Sequence, residues 1–237
     1  MSYLPDIVTA VSAALVTVGA LERAARDRWA PRWSQRGFTV TALMSTRTQN
    51  FRVLFAAASG TAAAWWYNTW TAAVGITALA WLAAVAVATD LVDRKIPREP
   101  CWVALGVASG AGALHATSYA AWSALVGLVL TVTIVGLLLL LSRGALGSGD
   151  ARLLLALSSI AWWAGYTPIL VGLLCAALAQ VVLRFTAYRT HASAHGSKPP
   201  GYPFGPAIAA GYFIAVVLTG DPVNTCREWV GILVATC

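Results

Sequence analysis

Residues 72–97 read AAVGITALAWLAAVAVATDLVDRKIP. From Ala72 to Thr89 the stretch carries no charge, and its length approaches the roughly 20 apolar residues that cross a bilayer as a helix. Asp90 closes the run, and Asp93, Arg94, Lys95, Ile96 and Pro97 follow. A carboxylate at the end of such a helix sits where ionisable groups are costly and tend to have a task. One other carboxylate has a comparable setting. Asp150 ends Gly147-Ser148-Gly149-Asp150 and opens an apolar run from Leu153 to Tyr166.

The surrounding composition places both acids in a membrane protein. The 237 residues are 59% hydrophobic and 11% charged, against about a quarter charged in a soluble domain. One water-soluble core cannot hide that much apolar surface, so lipid is the expected solvent for much of it. The expected fold class is all-α, a polytopic membrane helical bundle forming a single domain over 1–237. Eight apolar segments are expected as spans: 4–21, 53–67, 70–89, 101–116, 120–141, 151–165, 167–185 and 205–220. Gly and Pro within them are compatible with spanning helices, because neighbours satisfy the freed backbone groups.

The charges between segments alternate. One set of loops holds Arg23, Arg26, Arg28, Arg32, Arg36, Arg47, Arg52, Arg94, Lys95, Arg98, Arg143, Arg152, Arg184, Arg189 and Lys198, whereas the opposite set holds only Arg227. The positive-inside rule assigns the first set to the cytoplasm. It therefore predicts both termini outside, and Asp90 and Asp150 together on the cytoplasmic face of a plasma or inner membrane. The net charge of +7 then serves topology beside anionic lipid headgroups, and binding of nucleic acid is not expected. A cleavable leader is not expected at the amino end either, because Asp6 stands near the start of the first apolar run and no basic region precedes it.

Several other features have plain explanations. The basic stretch 22–52, interleaved with Trp29, Trp33 and Phe38, is expected as an amphipathic segment on the inner leaflet. His191 and His195 are four apart, but Pro199 and Pro200 follow closely and no carboxylate or thiol is near, so a solvated loop is expected rather than a metal site. His115 falls on the outer side. Cys101, Cys175, Cys226 and Cys237 form no CxxC pair; Cys226 and Cys237 share the tail after 220 and are candidates for a disulfide. Trp65, Trp66, Tyr67 and Trp70, like Trp162, Trp163 and Tyr166, mark interfacial belts. Asp93 and Glu99 are expected as charges at helix ends that reach the headgroups.

Two acids brought close cannot both ionise comfortably, so the pair shares a proton. One carboxylate then accepts a proton from water while its protonated partner donates a hydrogen bond to a carbonyl. Which acid is the base stays open, because such a pair titrates as a unit. Gly147 and Gly149 give the backbone before Asp150 room for close approach.

Asp90 followed by Arg94, Lys95, Ile96 and Pro97, and Gly147-x-Gly149-Asp150 followed by Arg152 and Leu153 to Leu157, together resemble the motifs of the type IV prepilin peptidases. These are intramembrane aspartic proteases with a GxGD signature. Pro203-Phe204-Gly205-Pro206 and the run Ala207 to Gly211 are similar to the segment that opens the family's last helix. The three motifs cover about residues 70–215. Arg152 stands where the family often has Lys, and Arg98 where it often has Asn or Asp. Residues 22–52 occupy the place of a cysteine-bearing, zinc-binding region of bifunctional members but contain no cysteine, so the chain looks like the shorter members.

The resemblance implies an aspartic endopeptidase that removes the short basic leader of prepilin-like proteins at the cytoplasmic membrane face. Asp90 and Asp150 would be the catalytic pair, and Gly147 and Gly149 would admit an extended substrate strand. No cofactor and no metal are expected; the partners are the prepilin-like substrate and membrane lipid. Asp93 and Glu99 would join the pair in attracting a basic leader. The rivals are an ion- or proton-coupled transporter using the same acids, and a non-catalytic relative that binds pilin-like helices.

Overall fold

The computed structural model describes residues 3–67, 69–114, 116–141, 147–178 and 204–219. Helix α1 (Tyr3–Ala24) runs through a π-helical turn (Ala25–Trp29) into α2 (Ala30–Gln35), then α3 (Val40–Leu43) and α4 (Thr46–Tyr67). Next come α5 (Trp70–Asp93), α6 (Arg98–Leu114) and α7 (Ser118–Leu141). Helix α8 (Ser148–Leu157) passes through a 3-10 turn (Ser158–Ile160) into α9 (Ala161–Ala164). Two further helices are α10 (Thr167–Leu178) and α11 (Gly205–Thr219). No strand occurs among the described residues.

Within the described residues each expected apolar segment overlaps helix. Among the described residues three helices are long and apolar enough to cross a membrane: Val8–Gln35, Trp70–Asp93 and Ser118–Leu137. Thr167–Leu178 and Gly205–Val216 are shorter apolar helices. The loop bearing His191 and His195, His115, Pro203 and the tail with Cys226 and Cys237 lie outside the described residues.

Helix α5 is the axis of the bundle. It is apolar all round, and from Thr71 to Ala86 its residues are buried except for the half-buried Val74. Helices α1, α4, α6 and α11 pack around it. Small residues set the spacing. A Cβ at Gly60 on α4 would overlap Thr77 Oγ1 and approach Ala73 O to 2.7 Å on α5. Close backbone approach through small residues is how helices associate where no water-driven force acts between them. Gly60→Ala is accordingly expected to lower stability by roughly 1–3 kcal/mol, measurable as a lowered melting temperature of the detergent-solubilised protein; an unchanged melt would contradict this packing. Helix α7, by contrast, leaves Trp122, Leu125, Leu128, Val129, Val132, Leu137, Leu139 and Leu140 exposed.

The basic stretch 22–52 departs from the expectation of an inner-leaflet segment. Trp29, Trp33 and Leu43 are buried in the same core as Trp81 of α5, and the rings of Trp29 and Trp81 lie 6.0 Å apart. The stretch is held at both ends by one ion pair. Arg52 Nε and Nη2 donate to the Glu22 carboxylate at 2.8 and 2.9 Å, and Nη1 donates to Leu43 O at 2.6 Å. Trp81 Nε1 donates to Glu22 Oε1 at 2.8 Å. Arg52 is thus buried rather than free for headgroups. Arg23, Arg26, Arg28, Arg32 and Arg47 remain exposed. The π-turn and the aromatic side chains commit one face of the stretch to the bundle, because burying three large apolar groups outweighs laying them on lipid headgroups.

Candidate active site

Asp90 lies in the last turn of α5 and is 6% exposed. The turn closes on Arg94, which adopts φ 52°, ψ 37° and donates its backbone N–H to Asp90 O at 3.1 Å. It is the one non-glycine residue with positive φ among those described. This left-handed cap ends the helix and turns the chain sharply towards Ile96 and Pro97.

Helix α11 starts opposite. The backbone N–H of Gly205, its first residue, donates to Asp90 Oδ2 at 2.7 Å across 115 positions of sequence. The Phe204 backbone adds a second hydrogen bond to the same carboxyl. Helix N-termini leave N–H groups unpaired and carry partial positive charge, so a carboxylate there is well received. A Cβ at position 205 would lie 3.0 Å from Asp90 Oδ2 and 3.3 Å from Asp90 Cβ. Glycine is needed here for close approach, a role beyond opening the helix.

Asp150 is the third residue of α8, whose cap is Gly147. Its carboxylate folds back to accept a hydrogen bond from the Gly147 backbone, as the third-position acid of a capping box does. Asp150 is half-buried and stands ahead of the apolar run. Burial, and secondarily the nearby Asp90 charge, push its carboxyl up to about 6. The Asp90 charge is thus felt at Asp150, and Ile96, close to both Gly149 and Gly205, connects the segments that carry the two acids.

Ile96 joins the three motif segments. An added Cβ at Gly149 would come 3.0 Å from Ile96 Cβ and 3.4 Å from its backbone N; one at Gly205 would come 3.3 Å from Ile96 Cδ1. Gly149 thus has a reason within the chain, which is room for Ile96. Gly147 is exposed, with its own Cβ position 3.1 Å from Asp150 Oδ2.

Asp93 and Glu99 do not reach outward as expected. Thr39 donates its backbone N–H to Asp93 Oδ2 at 2.9 Å and its hydroxyl to Oδ1 at 2.6 Å. Trp33 Nε1 donates to Glu99 Oε2 at 3.2 Å, and Arg36 pairs with Oε1. Burial by itself would raise the Glu99 carboxyl, but bonds from its own backbone, Arg36 and Trp33 outweigh it and hold it below the usual glutamate value. Both acids are engaged by side chains of the basic stretch, whereas the hydrogen bonds of Asp90 and Asp150 come from backbone groups. These partners lie more than fifty positions away in sequence, so spacing could not reveal them.

Among the described residues no group of three His, Cys, Asp or Glu could hold a metal ion. What the arrangement offers is acid–base chemistry: a carboxylate fixed by backbone donors beside one whose carboxyl is raised to about 6. Comparison with known proteins returns no match, whether to a family model, a curated protein or a solved structure. The motif resemblance and the geometry around Asp90 and Asp150 therefore carry the functional reading by themselves.

Proposed function

We propose that this chain is an intramembrane aspartic endopeptidase that cleaves the short basic leader of prepilin-like proteins at the cytoplasmic membrane face. The observation that carries the reading is the meeting of three distant motif segments at one pair of acids, with Asp90 bonded to Gly205 and Asp150 raised by burial and by Asp90. In the proposed reaction one ionised carboxylate takes a proton from water. The protonated partner hydrogen-bonds the scissile carbonyl oxygen, and the hydroxide adds to its carbon. Collapse of the tetrahedral adduct breaks the C–N bond as the proton from water passes to the leaving nitrogen. The carboxyl pair ends with one proton, as it began.

The companion topology has eight spans, both termini outside, and Asp90 and Asp150 on the inner side. Exposed arginines on the stretch 22–52 support that orientation. Arg52, buried in its ion pair, drops out of the charge count without changing its sign. The large exposed apolar side chains of α1 and α7 suit a lipid surround.

The test is cleavage of a co-expressed prepilin in membranes containing the protein, resolved by the mass of the released leader. Cleavage that chelators leave untouched is expected. A prepilin that binds uncut would favour a non-catalytic relative, and acid-dependent ion flux without cleavage a transporter. The pH profile follows from Asp150. The active pair holds one proton, and the Asp150 carboxyl, at about 6, loses it as pH rises. The rate is expected to be highest just below that value, to fall by about tenfold per pH unit well above it, and to fall again in stronger acid, where protonating the second carboxyl removes the base. A rate flat between pH 6 and 8 would contradict this assignment.

A further inference from the structure

The turn that carries Ile96 is tied at both ends to one short piece of the basic stretch. Asp93, at the last position of α5, takes two bonds from Thr39. Glu99, at the second position of α6, takes Trp33 and Arg36. Only residues 94–98 lie between these two anchors. Ile96, at their midpoint, fills the space that a Cβ at either Gly149 or Gly205 would need.

The holding piece is itself well braced. Backbone bonds Arg36 N to Trp33 O (3.0 Å), Gly37 N to Ser34 O (3.0 Å), Phe38 N to Trp33 O (3.1 Å) and Val40 N to Phe38 O (2.9 Å) shape it. Gly37 supplies the positive φ, 75°, that the turn needs. Trp33 is 1% exposed, and its ring lies 6.1 Å from that of Trp29 and 6.4 Å from that of Phe38. The turn it holds includes Arg94 in the left-handed region, a conformation a non-glycine residue keeps only when its surroundings impose it.

We propose that Trp33, Arg36 and Thr39 are positioning residues for the Asp90–Asp150 pair: by gripping Glu99 and Asp93 they clamp the intervening turn, so that Ile96 wedges against Gly149 and Gly205 and holds the two acids in register. The basic stretch thereby acts on the site from outside it, through Asp93 and Glu99, and touches neither catalytic carboxyl. The consequence for cleavage rests on the peptidase reading above; the clamp itself does not.

Because two ties hold one turn, cutting both is expected to cost more than the sum of cutting each. The decisive variant is the double Asp93→Ala/Glu99→Ala. Two readouts separate the clamp from the peptidase reading. The first needs no substrate: carboxyl NMR of the detergent-solubilised full chain, following the titration of Asp150. Wild type is expected to titrate at about 6. The double variant, with its helical content intact, is expected to titrate nearer an ordinary aspartate, because a loosened turn admits water and lets Asp90 move away. The second is kinetic: kcat falls about 100-fold while KM stays within about threefold, as loss of alignment rather than of binding predicts. Asp93→Asn/Glu99→Gln, which keeps acceptor oxygens for Thr39 and Trp33, is expected to recover most of both.

An unchanged Asp150 titration in a folded double variant overturns the clamp. A wild-type chain that cuts no prepilin sinks the peptidase reading but leaves the titration to decide the clamp. Should the double alanine variant fail to fold, Arg36→Met/Thr39→Val removes one bond from each tie at exposed side chains. It is expected to shift the titration in the same direction by a smaller step, and no shift there overturns the proposal equally.

Discussion

Asp90→Ala and Asp150→Ala are each expected to reduce prepilin cleavage by about 10³-fold or more, towards the upper end of what a positioned acid–base group contributes. The double variant is expected to be no worse than either single one, because groups that act as a unit are lost together. The two singles should differ in stability. Asp90→Ala strands the Gly205 N–H that its carboxylate accepts at 2.7 Å, and an unmet buried donor costs about 1–3 kcal/mol. Asp150→Ala removes a carboxyl that burial and Asp90 hold in its protonated form up to about 6. Its ionised form is penalised in the fold at pH 7 and above, so the variant should be as stable as wild type there, or more so. A folded Asp150→Ala protein without activity would then separate chemistry from folding. Membranes in which both single variants still cut at the wild-type rate would end the two-aspartate mechanism.

The largest stability effect is expected at Glu22 and Arg52. Arg52 is 2% exposed and Glu22 5%, and the pair is joined by two bonds, at 2.8 and 2.9 Å. Trp81 Nε1 gives the Glu22 carboxylate a third bond, and the Leu43 carbonyl accepts a third from Arg52. Removing one partner leaves a buried, uncompensated charge, so Glu22→Ala or Arg52→Ala is expected to destabilise the protein by about 3–5 kcal/mol. The isosteric double Glu22→Gln/Arg52→Met should lose much less than the two single losses added together, since it leaves no charge behind. Thermal unfolding in detergent measures all three. A single alanine variant losing under about 1 kcal/mol would mean that water reaches the pair. Because this ion pair closes the basic stretch at its two ends, the singles should also loosen Trp33 and, with it, the grip on Glu99.

The positions of the helices were legible because long uncharged runs such as Ala72–Thr89 leave a coarse mark in the sequence. The candidate pair was legible for a related reason, since Asp90 and Asp150 each interrupt or border such a run, and glycines at 147 and 149 signal close approach. The basic stretch was misjudged on the same logic. Its alternation of arginine with Trp29 and Trp33 fits a helix lying on headgroups as well as one docked on protein, and periodicity does not name the surface that an apolar face will meet. The residues at its two ends, Glu22 and Arg52, bond to each other, although helices α1 and α4 run across both ends.

By itself, then, the order of residues determined that the chain is helical and that some of its helices are apolar enough to cross a membrane, and it singled out Asp90 and Asp150 for the proposal above. The tertiary structure alone decided what those carboxylates touch. Gly205 reaches Asp90 from 115 positions away, Thr39 and Trp33 take Asp93 and Glu99 from more than fifty, and Ile96 becomes the common neighbour of two glycines. The physical reason is that hydropathy and helical period are local properties of a chain. A hydrogen bond between side chain and backbone depends on the path by which distant helices pack, and here that path is set by glycines and alanines whose importance is only the volume they leave empty.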